Sequence, residues 1–398
     1  MTSAIILGDI HLGKGTNIGK NAVGATLNSR IVDQLNLLDW TLEQAVEKGV
    51  EHIIITGDVF EDPRPRPELI TMFIAWLKKC QAYNLHVHII MGNHDILRSG
   101  FVYSSPLDII SEVELENINV YKQVDTIHIG TTAFTFVPFR DRKSFGVTSN
   151  ADAISILRDG LTYELASIPV TYKKILVGHL AIEGSIPIGD EFDDLTNELF
   201  CPLDMFKGYD YVWMGHVHKP QVMKKKKPFI AHVGSMDISN FGETDHKKHI
   251  VIIDCVTDQE FTIEYLPTRA LKKLNITVPK DTEDPTEYVI SQIKKNKDSL
   301  DKAIVRVEVT MESADLKSIS KSAIEKYLTK RGAFNVTSVS ENKKVNLIKK
   351  DGNNTINSKM DVSSAIKKYA DTYVDAPLQG EFSKLALEIY QIYKEEVG

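Results

Sequence analysis

Five times in the first two-thirds of the chain, a short and continuously apolar run ends in glycine and a polar cluster. Ala4-Ile5-Ile6-Leu7 leads into Gly8-Asp9-Ile10-His11, and His52-Ile53-Ile54-Ile55 into Gly57-Asp58. Val87-His88-Ile89-Ile90 leads into Gly92-Asn93-His94-Asp95, and Lys174-Ile175-Leu176-Val177 into Gly178-His179. Tyr211-Val212-Trp213-Met214 leads into Gly215-His216-Val217-His218. Runs this short, apolar throughout and stopped by glycine, read as strands buried on both faces. Amphipathic segments between them, 33–47 and 68–79 among others, read as helices. Strands alternating with helices give an α/β layered fold. In such folds the loops after the strand C-termini open on one crevice, where ligands bind. All five polar clusters occupy that position.

From about residue 271 the rhythm changes. Residues 273–278, 303–310 and 334–338 read as strands. Asp284-Pro285-Thr286-Glu287 has the signature of a helix start, with an N-cap acid, proline at N1 and Glu at N3. A second helix is expected over 314–329, which makes residues 269–340 a small α+β domain after a larger one at 1–268. Residues 341–360 are polar and turn-rich and read as a linker. Beyond it, Ile366, Tyr369, Ala370 and Tyr373 recur at helical spacing, as do Phe382, Leu385, Ala386, Ile389, Tyr393 and Val397. Two short amphipathic helices at 361–398 must bury their stripe, on the chain's own body or on a partner.

The clusters offer Asp9, His11, Asp58, Asn93, His179, His216 and His218 as donors. Imidazole mixed with carboxylate and amide oxygen suits Mn²⁺ or Fe²⁺, and Zn²⁺ fits as well. Seven ligands exceed one tetrahedral ion but serve two that share a carboxylate. Such a pair binds a phosphodiester, activates water and stabilises the leaving oxygen. His52, His86 and His88 lie within or beside strands and read as core histidines, and His128, His246 and His249 as solvated ones. Cys80, Cys201 and Cys255 are too few and too scattered for a disulfide scaffold or a Cys-rich zinc site, which points to a reducing compartment. The apolar run at 4–7 is short for a signal peptide, and no run approaches the ~20 apolar residues of a membrane span. The expectation is a soluble, cytoplasmic protein without a membrane partner.

In their order and wording the five clusters resemble the calcineurin-like metallophosphoesterase superfamily. Within it, residues 57–67 and Gly234-Ser235 followed by Phe241-Gly242-Glu243 resemble the SbcD/Mre-type DNA repair nucleases. The resemblance implies a two-sheet sandwich with helices outside, a small capping domain and a C-terminal helix-loop-helix. It implies two Mn²⁺ ions, with Mg²⁺, Fe²⁺ or Zn²⁺ as alternatives. One would be held by Asp9, His11, Asp58 and His218, the other by Asp58, Asn93, His179 and His216. His94 would protonate the leaving oxygen or stabilise its charge, and Asp95 would orient His94. The implied activity is duplex 3'-5' exonuclease and single-strand endonuclease in double-strand-break repair. The implied partners are DNA, a second copy of the chain, and an SbcC/Rad-type coiled-coil ATPase docked on 361–398. Helices near the second and third motifs, including 68–79, are candidates for the homodimer contact. Glu61 departs from the family pattern, where many relatives carry His or Asp.

Two other readings use the same motifs: a phosphoesterase acting on nucleotides or phosphoproteins, and a non-catalytic scaffold on the same fold. A scaffold tends to lose ligands, and here each expected ligand is present. The capping domain and helical tail are more than a small-molecule phosphatase needs. Arg64, Arg66, Arg98, Arg140, Arg142 and Lys143 flank the motif loops and are candidates for phosphate contact. Lys224 to Lys227 form a basic run that is either a DNA contact or a solvated hairpin tip. The net charge of -7 excludes a broad basic surface. Asp9 and Asp58 account for part of it, because bound ions would neutralise them.

Overall fold

The structure, a computed structural model, describes residues 2–21, 27–99, 102–187, 198–257, 261–296, 299–343, 361–374 and 376–397. The chain runs through β1 (Ser3–Leu7), α1 (Ser29–Lys48), β2 (His52–Ile55), α2 (Pro67–Ala82) and β3 (His86–Ile90). A small hairpin, β4 (Leu97–Ser99) and β5 (Val102–Ser104), and α3 (Leu107–Glu112) precede β6 (Ile118–Tyr121). Next come β7 (Asp125–Ile129), β8 (Thr132–Val137), α4 (Asn150–Ser167), β9 (Lys173–Gly178) and the two-residue pair β10 (Ala181–Ile182) and β11 (Phe200–Cys201). Then follow β12 (Tyr211–Met214), β13 (Gln221–Lys224), β14 (Phe229–His232), β15 (His249–Asp254) and β16 (Thr262–Tyr265).

These strands form two six-stranded sheets, in the orders β16-β15-β1-β2-β3-β6 and β13-β14-β12-β9-β8-β7. In the first, β1, β2, β3 and β6 are parallel; in the second, β8, β9, β12 and β14 are. The sheets face each other across Ala4, Ile6, Ile54 and Ile90 on one side and Phe134, Phe136, Ile175, Val177 and Trp213 on the other. The opposite faces are covered too. Ile5, Ile53, Ile55 and Ile89 pack against Leu38, Phe73 and Trp76 of α1 and α2, and Leu176, Val212 and Ile230 against Leu157 and Leu161 of α4. Burial on both faces is why the runs are apolar without alternation. The expected α/β sandwich with helices outside is what forms.

The apolar residues of α2 belong to this core. Leu69, Phe73, Trp76, Leu77 and Cys80 are buried within the chain itself.

Residues from 271 onward form a parallel three-stranded sheet of β17 (Leu271–Val278), β18 (Ile304–Met311) and β19 (Asn335–Lys343), joined by α5 (Pro285–Lys295) and α6 (Lys321–Lys330). Asp284 caps α5 through the N–H groups of Thr286 and Glu287, as its sequence requires. Two boundaries differ from expectation. The second helix starts at Lys321 under the Ser320 cap, because Leu316 and Ile319 ahead of it are buried in the core of this unit. The last strand runs on to Lys343, past its apolar residues, through ladder pairing with β18. The remainder of the expected linker, residues 344–360, lies outside the described residues. Helices α7 (Val362–Tyr373) and α8 (Gln379–Val397) follow and pack on each other, Tyr369 stacking on Phe382 at 5.8 Å.

The small sheet is tied to the sandwich by charge. Arg30 is fully buried and reaches Asp33, Asp237 and the carbonyl of Ile238. Asp33 also receives Arg269 through two bonds of 2.6 and 2.8 Å. Ile18, Ile238, Leu271 and Ile304 close an apolar contact beside it.

Candidate metal centre

The strand C-termini of both sheets bring the five polar clusters to one place. Asp9, His11 and His218 group together, as do His11, Asp58 and His94, and Asp9, Asp58 and His179. Within each group the donor atoms lie within 4.8 Å of one another. Asn93 Oδ1 is 2.9 Å from both His179 Nε2 and His216 Nδ1, and His11 Nε2 is 2.9 Å from His218 Nε2. Asp58 Oδ2 sits 3.3 Å from both His11 Nε2 and His179 Nε2, midway between the two sets. All seven expected ligands are in this cluster, and all but Asn93 are buried.

The hydrogen bonds around the cluster fix which atoms face inward. His179 Nδ1 donates to the Thr56 carbonyl at 3.0 Å, so a neutral His179 turns a lone pair on Nε2 toward Asn93 Oδ1 and Asp58 Oδ2. His11 Nδ1 points to Glu61 Oε2 at 2.8 Å, which turns its Nε2 toward Asp58 and His218. His216 Nε2 faces Glu198 Oε1 at 3.2 Å. Asp9 accepts from Thr56 Oγ1 at 2.8 Å and from the His216 amide at 2.7 Å. A lone pair turned toward the cluster, with the outer ring nitrogen bonded to a carbonyl as in His179 and a carboxylate close to the outer nitrogens of His11 and His216, is an arrangement of metal-binding histidines. The donor set fits divalent cations.

Electrostatics agree. Burial opposes a charged His179, but Asp58 and Asp9 outweigh it and push its pKa up to about 10. The carboxylates thus call for positive charge at the point where the lone pairs converge. His11 and His218 are held well below the usual imidazole range, first by burial and then by Lys14 and His11 respectively. They remain neutral, the form that binds metal. Burial raises Asp9, with Asp58 adding to it, whereas His179 and His11 outweigh burial at Asp58 and hold it low.

The backbone is strained here. His11, Asp58 and His216 adopt left-handed φ values of 47°, 47° and 74°. Outside glycine that region costs roughly 1–3 kcal/mol per residue and persists where the surroundings enforce it. Two glycines explain the motif wording. A Cβ at Gly92 would strike the Asp58 carboxylate, and one at Gly215 would strike Asp9 and Thr56.

A calcineurin-like phosphoesterase model matches residues 3–220. The chain belongs to that family. It is 26% identical over 281 residues to the SbcD component of the nuclease SbcCD of Staphylococcus saprophyticus subsp. saprophyticus, covering 67% of this chain and 69% of the relative. It is 23% identical over 307 residues to the "DNA double-strand break repair protein Mre11" of Methanosarcina mazei, covering 76% of this chain and 45% of the relative. The chain thus spans about half the length of that archaeal protein. A dimetal phosphatase from Danio rerio aligns with a TM-score of 0.42 at 11% identity, over 66% of this chain and 95% of that one.

One role expected by resemblance is not what the geometry gives. Asp95 does not orient His94. Its carboxylate accepts the backbone N–H groups of Gly92, Val59 and Phe60 at 3.0, 3.0 and 3.4 Å, tying the second and third motif loops together. Burial, with Asp58, pushes its pKa up to about 7 against those bonds. His94 is oriented instead by the Glu61 carbonyl, which accepts from Nδ1 at 2.7 Å. Glu61 therefore serves two histidines, His11 through its carboxylate and His94 through its carbonyl. Burial pulls His94 down, but Asp58 and Glu61 together hold it above its usual value.

Thr56, Glu61 and Glu198 are functional neighbours that ligand spacing alone does not reveal; the first two sit next to the Gly-Asp motif, but Glu198 has no local signal. The basic residues scatter. Arg140 is spent on the carbonyls of Phe139 and Lys122 and on Gln123, Arg66 pairs with Glu68, and Arg64 is exposed. The Arg98 side chain lies outside the described residues. Among the described residues no helix is long and apolar enough to cross a membrane.

Proposed function

We propose that the chain is a Mn²⁺-dependent DNA nuclease that works with a coiled-coil ATPase in double-strand-break repair. The observation that carries this reading is the complete set of seven donors around a shared Asp58, in a chain similar to a nuclease component over 69% of that component's length. Asp9, His11, Asp58 and His218 would hold one ion, and Asp58, Asn93, His179 and His216 the other. Two divalent ions there supply Lewis-acid charge for a phosphodiester and lower the pKa of water.

The chain's own residues do the rest. The left-handed turns at His11, Asp58 and His216 aim their side chains into one crevice. The Thr56 carbonyl fixes the outer ring nitrogen of His179, and the carboxylates of Glu61 and Glu198 lie 2.8 and 3.2 Å from those of His11 and His216. The Glu61 carbonyl holds the His94 Nδ1 proton, so Nε2 is the atom that donates to the leaving oxygen. Its raised pKa keeps that proton available near neutral pH, as a general acid requires. On α7 and α8 and the turn between them, Tyr369, Tyr373, Leu378, Leu385 and Ile389 are exposed, an apolar stripe suited to a helical partner.

The test is cleavage of linear duplex and circular single-stranded DNA with Mn²⁺. Wild type should cut both and Asp58→Ala neither, while His94→Ser should bind Mn²⁺ normally and lose most cleavage. Absence of cleavage by wild type, with bis(p-nitrophenyl) phosphate still hydrolysed, would replace the nuclease reading by the general phosphoesterase one. Deleting 361–398 should abolish co-purification with the ATPase.

A further inference from the structure

We propose that a basic, aromatic-floored cleft at the end of the second sheet opposite the metal centre is a separate, non-catalytic site for single-stranded nucleic acid. Strands β9, β12 and β14 are parallel, and the loops after β9 and β12 deliver His179 and His216 to the metal centre. Their N-terminal ends frame a cavity of about 720 Å³. At about 3.3 Å per residue, the strands separate the two sites by roughly 15–20 Å.

The lining has two layers of chemistry. Lys173, Lys174, Lys225 and Lys227 contribute four ammonium groups against one lining carboxylate, Asp210. Lys227 pairs with Asp210, whereas the bonds from Lys173 to the neutral carbonyls of Asp254 and Thr257 leave its charge in place, so the excess of positive charge rests on Lys173, Lys174 and Lys225. Lys225 and Lys226 are exposed at the tip of the β13–β14 hairpin. Two lysines of the four-lysine run, Lys225 and Lys227, are therefore brought to this cleft by the hairpin. Beneath the lysines lie rings. Tyr211, Phe229 and Phe261 pack on one another with centroids 5.0–6.3 Å apart, and Tyr172 stands at the rim, each partly exposed.

The combination selects the ligand. Lysines alone attract any polyanion, but a floor of aromatic rings adds energy only for a ligand with flat faces. Bases stacked on such rings gain about 1–3 kcal/mol each without sequence preference, while the phosphates between them follow the positive rim. An acidic peptide satisfies the lysines and leaves the rings bare. The overall charge of -7 does not oppose this, because the positive excess is local. The inference goes beyond the nuclease reading, and binding here requires no metal and no cleavage.

The experiment uses the full chain in EDTA, so that nothing is cut, with a fluorescein-labelled oligo-dT of about 12 nucleotides, within the usual site size. Anisotropy titrations across salt concentrations compare wild type, Lys174→Glu/Lys225→Glu and Tyr172→Ala. The double variant should bind at least tenfold more weakly, and loss of two phosphate contacts should flatten its log K against log salt slope by about 1.4. Tyr172→Ala should weaken binding with the slope unchanged. Iodouracil substituted in the oligonucleotide should photocrosslink to peptides containing Tyr172, Tyr211 or Phe229. Asp58→Ala should bind like wild type, and the double variant should hydrolyse bis(p-nitrophenyl) phosphate with Mn²⁺ at the wild-type rate. Wild-type affinity in the double variant, crosslinks confined to the metal crevice, or displacement of the oligonucleotide by polyglutamate at equal charge concentration would each overturn the proposal. If the nuclease reading alone is wrong, DNA remains uncut in Mn²⁺ while the EDTA binding and these crosslinks persist.

Discussion

Lys248 is a fully buried lysine whose ammonium is saturated. It donates to the His218 carbonyl at 2.8 Å, Ser235 Oγ at 2.7 Å and Glu243 Oε2 at 2.6 Å. Glu243, equally buried, also accepts from Ser239 and Asn240, both at 2.7 Å. Lys248→Met keeps the stem and removes the charge. It leaves Glu243 as an uncompensated buried carboxylate, at a cost of about 3–5 kcal/mol. It also strips the charged one of two donors from the carbonyl of His218, a candidate metal ligand. Urea unfolding in EDTA, followed by tryptophan fluorescence, should show a lower midpoint with the slope unchanged; Trp213 reports from the inter-sheet core. In Lys248→Met/Glu243→Gln no buried charge remains, so the double variant should recover more than half of the loss. A coupling energy of about 2 kcal/mol or more is expected from the cycle. Mn²⁺ affinity should fall in both variants, because each leaves the His218 carbonyl with the Ser235 amide and without its charged donor. A loss under about 1 kcal/mol for Lys248→Met, or strict additivity in the cycle, would refute the reasoning.

Glu61→Ala removes the carboxylate 2.8 Å from His11 Nδ1 but keeps the carbonyl that orients His94. It should lower Mn²⁺ affinity by about 10–100-fold, as loss of an outer partner usually does, and calorimetric titration reads this directly. Asp95→Ala orphans three loop amides and should lower the melting temperature of the EDTA-treated protein, which a role confined to His94 would not do. Between the two sheets, beside Phe136, His88 hydrogen-bonds Tyr121 and His52, and burial followed by His52 pushes its pKa down to about 3. A histidine depressed in the folded state contributes full stability above its unfolded value of about 6.5 and loses it as pH falls toward 3. His88→Gln should therefore flatten the fall in stability between pH 6.5 and 4, measured by urea midpoints at each pH. Burial pushes the thiols of Cys80, Cys201 and Cys255 up to about 12, so Ellman's reagent should label none of them before unfolding.

The sandwich was legible in sequence because both faces of its central strands are buried, which writes them as uninterrupted apolar runs such as 53–55 and 87–90. Local signals served the ligands equally well, since each follows its strand within a few residues. The polar edge strand at 335–343 carried no such signal; its register comes from ladder bonds to β18, which any side chain permits. The same distinction separates the ligands from the groups that aim them. Asp9 and His11 announce themselves by spacing, whereas Glu198 reaches His216 only because the sheet folds the β11 loop against it. Asp95 is the sharper case. Its place beside His94 in sequence implied a contact, but the turn after Gly92 sends the Asp95 carboxylate to the amides of Val59 and Phe60 and the His94 ring to the carbonyl of Glu61, different groups of one loop. The net charge was the least informative feature, because the carboxylates that make it negative are distributed by the fold. Asp9 and Asp58 face the crevice among its histidines, Asp33 and Asp237 are consumed by Arg30, and the far cleft keeps a single Asp210 among four lysines. A chain of negative net charge can thus present a local site for an anionic polymer, and what the sum conceals is where each charge is spent.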